Sequence, residues 1–172
     1  PTELLDKMIR GDVKQVGITF IEGHTFAQMR KELDEHPHLT HATKGVPDTE
    51  LLALVGAAEL HPEGLFFPET YRFHKGASDV EILKRAYKDM QSHLTRLWDT
   101  RTSNLPLKSP YEALILASVV EKETGQASER PQIAAVFINR LNSNMRLQTD
   151  PTVIYGLGAS FDGNLTKVRL RT

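Results

Sequence analysis

The stretch from Ala113 to Gly125, A-L-I-L-A-S-V-V-E-K-E-T-G, constrains this chain more than any other: an apolar run ends in two carboxylates and a glycine. Just upstream, Ser109-Pro110-Tyr111-Glu112 combines a Ser cap, Pro at the first helical position and Glu three residues past the cap. The pattern predicts a buried helix that carries Glu121 and Glu123 in its last turn. Residues two apart on a helix point about 200° from each other, so the two acids cannot serve one site together. Glu123 continues the stripe of Leu116, Val119 and Val120, whereas Glu121 continues Ala113, Leu114 and Ala117. Periodicity alone leaves the choice open. Desolvation by the apolar run and the negative end of the helix dipole would both raise a carboxyl pKa there, which suits a Glu that holds a proton near neutral pH and donates it to a leaving oxygen. The competing reading is a solvated pair of helix-end acids, one of them salt-bridged to Arg130.

Composition limits the function classes. The chain has 172 residues, 40% of them hydrophobic, enough for one good-sized core and a small appendage. Lys and Arg number 21 against 22 Asp and Glu, a formal net charge of -1, so the basic footprint of a dedicated nucleic-acid binder is lacking. Without cysteine, disulfide staples, thiolate metal sites and a Cys nucleophile are excluded together. No apolar run reaches the roughly 20 residues of a membrane span, and no signal-peptide pattern opens the chain. A first residue that is Pro rather than Met fits an excised fragment.

Along the chain, Leu4, Leu5, Met8 and Ile9 form a helical stripe closed by Gly11, and Val16 to Ile21 reads as a strand turned at Glu22-Gly23. Thr25 and Gln28 fit a capping box for a helix that turns Phe26, Met29 and Leu33 inward. His36, His38 and His41 lie in a loop-like segment ending at Pro47. Their spacing is not that of a helical zinc pair, so an exposed loop without a metal is expected. Asp48 is expected to cap a helix through Val55. The segment Leu60 to Phe73 is too rich in Pro and Gly for a long helix, yet carries Leu65, Phe66, Phe67, Tyr71 and Phe73. Such a loop suits either a sugar-binding wall or a core plug. Ser78 and Glu81 suggest a second capping box, opening a scaffold helix over about 79–100 with Trp98 on its core stripe. A further helix, from about Glu129 to Asn142 and capped by Ser128, places Ile133, Val136, Phe137 and Leu141 on one side. From Met145 the chain reads as short extended pieces with a turn at Asp150-Pro151.

Several blocks together carry a resemblance: A-S-V-V-E-K-E-T-G at 117–125, S-E-R at 128–130, V-F-I-N-R-L at 136–141 and M-R-L-Q-T-D-P-T-V-I-Y-G at 145–156. P-E-G-L-F-F-P-E-T-Y at 62–71 and the weaker I-E-G-H-T at 21–25 add to it. The chain resembles the YceG-like family of endolytic murein transglycosylases, nearly without a break from about Leu114 to Gly158. The resemblance implies an α+β fold: a mostly helical catalytic domain with short strands over residues 22–172, preceded at 1–21 by the tail of a small LysM-like module. Family members also carry a membrane span and a further C-terminal segment, so a fragment without either is expected, with membrane contact only through the anchor.

The resemblance also implies the chemistry. The second Glu of the E-K-E-T block is the family's catalytic acid, which is Glu123 here, followed by the small hydroxyl residue Thr124. The implied reaction cleaves the β-1,4 bond between N-acetylmuramic acid and N-acetylglucosamine and leaves a 1,6-anhydro end, with no cofactor and no metal. Gln148, Asp150 and Tyr155 are candidates for hydrogen bonds to the sugar, Asn139 and Arg140 for organising the cleft or meeting the peptide stem, and Glu69 for a further contact. Plainer roles compete: Asp150 as a turn former, Asn139 as a helix-end cap, Tyr155 as core. The partners implied are peptidoglycan strands and peptidoglycan synthases, at the outer face of the inner membrane. A hydrolytic muramidase and a non-catalytic peptidoglycan-binding scaffold are the alternatives.

Overall fold

A computed structural model describes residues 15–58 and 61–165, and the helix read over residues 3–10 lies outside them, as does most of the 1–21 segment. The described residues form two strands and six helices, an α+β and mostly helical fold. The chain divides into two compact units, Pro1–His93 and Leu94–Thr172.

In the first unit, β1 (Gln15–Thr19) pairs antiparallel with β2 (Thr70–His74), with Val16 opposite Phe73 and Ile18 opposite Tyr71. Alternation buries Ile18, Tyr71 and Phe73 and leaves Thr19 and Thr70 outside, where their hydroxyls meet at 2.9 Å. Between the strands come α1 (Phe26–Glu35) and α2 (Asp48–Val55). The capping box forms as the sequence predicts: Thr25 Oγ1 accepts from the Gln28 N–H and Gln28 Oε1 accepts from the Thr25 N–H. Glu63 adds a distant cap by accepting from the Phe26 N–H at 2.9 Å.

Asp48 does not cap α2. Pro47 occupies the cap position, and Asp48 is the first helical residue, paired with Arg30, which also donates to the Thr43 carbonyl. A carboxylate in the first turn complements the positive end of the helix without a cap geometry. The turn out of α2 uses Gly56 at φ 85°, a left-handed position glycine occupies without steric cost.

Two loops are more packed than their composition suggests. Leu65, Phe66, Tyr71 and Phe73 are buried, with Phe66 stacked on Phe26 and Tyr71 against Phe20, while Phe67 stacks on His93. A two-stranded sheet cannot cover a core alone, so the aromatic loop plugs it. The histidine segment is likewise no solvated loop: Leu39 and Thr43 are buried within it, His36 Nε2 lies 3.2 Å from the Gly17 carbonyl oxygen, and its ring meets Phe73 edge-on. Among the described residues, no group of three or more His, Cys, Asp or Glu is arranged to hold a metal ion.

That segment is anchored by Asp79, the first residue of α3 (Asp79–Asp99) and 0% exposed. Its carboxylate accepts from the N–H groups of Ala42, Thr43 and Val80 and from the Thr43 hydroxyl at 2.7 Å. The Ser78 hydroxyl oxygen accepts from the Val80 N–H, while the Glu81 N–H donates to the Ser78 carbonyl, so the second capping box does not form. The apolar stripe of α3 is buried at Ile82, Leu83, Ala86 and Met90. Beyond Met90, Leu97 is 59% exposed, and Trp98 is half-buried beneath the Arg101 guanidinium rather than in the core.

The second unit packs α4 (Pro110–Glu123) against both α5 (Arg130–Asn142) and α6 (Asp150–Leu157), the last followed by a 3-10 turn at Gly158–Ser160. Its core is small: Leu116, Val119, Val120 and Phe137 are buried, with Ile133, Ile138, Leu141 and Leu147 around them. Ser109 caps α4 as the sequence predicts, accepting from the Glu112 N–H. Ser128 does not cap α5, since Glu129 holds that position without a side-chain bond, and Val136 is exposed rather than inward. Nor is the chain extended after Asp150: Pro151 enters the first turn of a helix, where its missing N–H costs nothing, and Asp150 complements the helix end.

Two outcomes test these contacts. Asp79→Ala strands several buried donors and should lower unfolding free energy by about 3 kcal/mol or more in urea titrations. Burial pushes the Tyr71 phenol up, helped by the Asp89 and Glu69 charges and opposed by Arg85. With the folded value raised above an ordinary phenol's ~10, the stabilisation is complete below that pH and is lost as pH rises past it. Stability measured against pH should therefore fall less steeply above pH ~10 in Tyr71→Phe than in the wild type.

Candidate active site

Glu123 is the last residue of α4, and Thr124 takes the C-cap with an extended backbone. The apolar run buries only Leu116, Val119 and Val120, leaving Ile115 and Ala117 exposed, so α4 is a one-sided helix rather than an enclosed one. Glu123 follows that buried stripe yet is itself exposed at the helix end. Its Oε2 accepts a 2.6 Å hydrogen bond from the Thr149 hydroxyl. Glu121 points elsewhere and pairs with Arg130 at 3.1 Å.

The end of α4 is clipped in place beyond Glu123. The Thr124 N–H donates to the Val120 carbonyl, and the Thr124 hydroxyl donates to Glu129 Oε2 at 2.6 Å while its Oγ1 accepts from the Gln126 N–H. These bonds hold the turn into α5 close to the helix end and make Glu129 a structural partner that the sequence did not single out.

The Thr149 bond brings the start of α6 beside the end of α4, so Gln148 and Asp150 flank the residue that touches Glu123. Arg140 organises this approach. Its Nη1 donates to the Leu147 carbonyl at 2.6 Å and lies 3.3 Å from both the Arg146 carbonyl and Gln148 Oε1, while its own carbonyl accepts from the Met145 N–H. The loop accommodates two non-glycine residues in the left-handed region, Asn144 at φ 52° and Gln148 at φ 53°. Such conformations cost of order 1 kcal/mol or more and persist only where surrounding contacts impose them.

The other candidates stand as follows. Asn139 is exposed on the last turns of α5, and its carbonyl accepts from the Ser143 N–H. Tyr155 is 62% exposed on α6, so it is not a core residue. Asp150 is exposed in the first turn of α6. Glu69 belongs to the first unit, where its carboxylate accepts from the Thr70 N–H and its carbonyl from the Phe20 N–H. Thr149 was not marked by the sequence; a threonine directly ahead of an Asp-Pro helix start is the signal that could have found it.

Removal of the guanidinium while keeping most of the stem, as in Arg140→Met, should release this loop. Amide exchange at Met145 and Thr152 is expected to quicken about 10-fold or more, the scale of a lost charged hydrogen bond. Unchanged exchange would mean that Arg140 does not hold the loop.

Comparison with known proteins places this geometry in a family. The model of the YceG-like family matches residues 1–172. An endolytic murein transglycosylase of Bacillus subtilis (strain 168) is 34% identical over 142 residues, covering 81% of this chain and 39% of that protein. One from Streptococcus pneumoniae serotype 2 (strain D39) is 34% identical over 97 residues, covering 56% of this chain and 17% of its own length. The chain thus spans well under half the length of these relatives. Among solved structures, a yceG-like protein from Listeria monocytogenes matches with a TM-score of 0.70 and 29% identity, over 99% of this chain and 62% of that one. On the whole-length family match, the chain belongs to the YceG-like family.

Proposed function

We propose that this chain carries the catalytic region of an endolytic peptidoglycan lytic transglycosylase, with Glu123 as its one acid and base. The observation that carries this reading is the state of the two acids at the end of α4. Glu121 is engaged by Arg130, whereas Glu123 is exposed with one carboxyl oxygen held by Thr149 and the other open to a ligand. The names of the two relatives supply the reaction class.

Ordinary glycosidases set two carboxylates across the scissile bond, one for the leaving group and one for water or covalent attack. A lytic transglycosylase needs one. Glu123 gives its proton to the oxygen of the β-1,4 bond between N-acetylmuramic acid and N-acetylglucosamine, and the bond from that oxygen to the muramoyl C1 breaks. The resulting carboxylate takes the proton of the muramoyl 6-hydroxyl as O6 bonds to C1, which closes a 1,6-anhydro ring and returns Glu123 to its starting form. No water is consumed, and holding the 6-hydroxyl near C1 supplies the advantage of an intramolecular reaction. Gln148, Asp150 and Tyr155, exposed beside the Glu123–Thr149 contact or farther along α6, are the groups this reading gives to the sugar, with Asn139 and Arg140 for organising the cleft or meeting the peptide stem, and Glu69, in the other unit, is left out of this set.

Family membership supports action in the cell envelope. The same reading puts the protein at the outer face of the inner membrane, in association with peptidoglycan synthases. Among the described residues no helix is long and apolar enough to cross a membrane.

Digestion of peptidoglycan by the full-length protein should release fragments whose ends are lighter by one water than hydrolytic ends. Glu123→Gln should lower the rate by about 10²-fold or more, and Glu121→Gln by no more than a few-fold. Reducing ends would instead identify a hydrolase, and undiminished cleavage by Glu123→Gln would remove that residue from the role.

A further inference from the structure

The Thr149 hydroxyl is spent in an unusual way. Thr149 is the N-cap of α6, with extended backbone at φ -118° and ψ 132°, and an N-cap threonine ordinarily turns its oxygen to the N–H of the second or third helical residue. Here no such bond forms. The second helical residue is Pro151, which has no N–H, and the third, Thr152, donates both its N–H and its hydroxyl to the Thr149 carbonyl, at 3.2 and 2.8 Å. The helix start is thus held through the backbone oxygen, and the hydroxyl goes to Glu123.

We propose that Thr149 is a positioning residue for Glu123, fixing which carboxyl oxygen faces the substrate; the proposal rests on the reading of Glu123 as the acid. Three observations converge on it. The 2.6 Å contact lies in the short range of a hydroxyl donating to a carboxylate, and Thr149 is 3% exposed, so the donor side of the bond is shielded from competing water. The backbone that presents Thr149 is held on its N-terminal side by the Arg140 bonds to 146–148 and the left-handed Gln148, and on its C-terminal side by the Thr152 bonds. Finally, a threonine hydroxyl has one proton. Donated to Oε2, that proton makes Oε2 the accepting oxygen whether Glu123 is neutral or ionised, and Oε1 is left to carry the mobile proton in both directions. An exposed glutamate at a helix end otherwise has free torsions, and a misplaced donor loses rate steeply.

The test uses the full-length protein with kcat and KM measured separately on purified glycan strands, alongside thermal unfolding. Thr149→Val keeps the shape and removes the proton. It should lower kcat about 10- to 100-fold with KM within about twofold, and Thr149→Ser, which restores the hydroxyl, should recover most of the rate. A role in packing alone would lower the unfolding temperature without this split and without rescue by Ser. Should Thr149→Val fail to fold, Thr149→Ala is read in the same way. Wild-type kcat in the hydroxyl-free variant, or a Ser variant as slow as the Val one, overturns the proposal. If Glu123→Gln retains wild-type cleavage, the assignment of the acid itself fails, an outcome distinct from Thr149→Val being fully active while Glu123→Gln is dead.

Discussion

The second unit has a side-chain hydrogen bond, from Thr149 to Glu123, that ties the end of α4 to the start of α6. Its hydrophobic core is small, four buried side chains with a half-buried ring around them, and such a core fixes helix packing more loosely than a side-chain geometry requires. Polar clips supply the rest. Thr124 with Glu129 holds the C-terminal end of α4, Arg140 holds the loop into α6, and Thr149 joins the two. Each clip is short and directional. The precision of the site is therefore polar in origin, while the core only brings the helices into range.

The first unit distributes its contacts differently. There the sheet is two strands wide, and the apolar surface that covers it comes from α1, α2 and α3 and from the loop ahead of β2, whose Leu65 and Phe66 are buried, with Phe66 stacked on Phe26. Polar order is concentrated at Asp79, whose buried carboxylate gathers the amides of the 42–43 turn and of its own helix start. A loop can be buried only if its backbone groups find partners, and Asp79 supplies them for the 42–43 turn.

What could be read from the sequence follows from these differences. Elements set by local chemistry were legible: the Thr25 capping box, the Ser109-Pro110 start and the stop after Glu123 depend on neighbours in the chain, and the strand read over 16–21 forms at Gln15–Thr19. Features set by distant partners were not. Asp48 and Ser128 carry cap-like chemistry, but Pro47 and Glu129 took those positions. Asp150-Pro151 reads as a turn by composition and becomes a helix start because α6 has α4 to pack on. Helical periodicity expressed the alternative between Glu121 and Glu123 without resolving it. The partners that distinguish them, Arg130 and Thr149, stand nine and twenty-six residues from their acids and leave no periodic trace.

The meeting of α4 and α6 is also a meeting of opposite helix ends. Glu123 stands at the C-terminal end of one helix, where unpaired carbonyls gather negative partial charge, and is bonded to the residue that opens another, where unpaired N–H groups gather positive partial charge. Considered alone, α4 presents its acid with a one-sided field; the second helix supplies the counterweight. The backbone contributions to the site therefore oppose each other, and the electrical balance at the free carboxyl oxygen is left to whatever occupies the space in front of it.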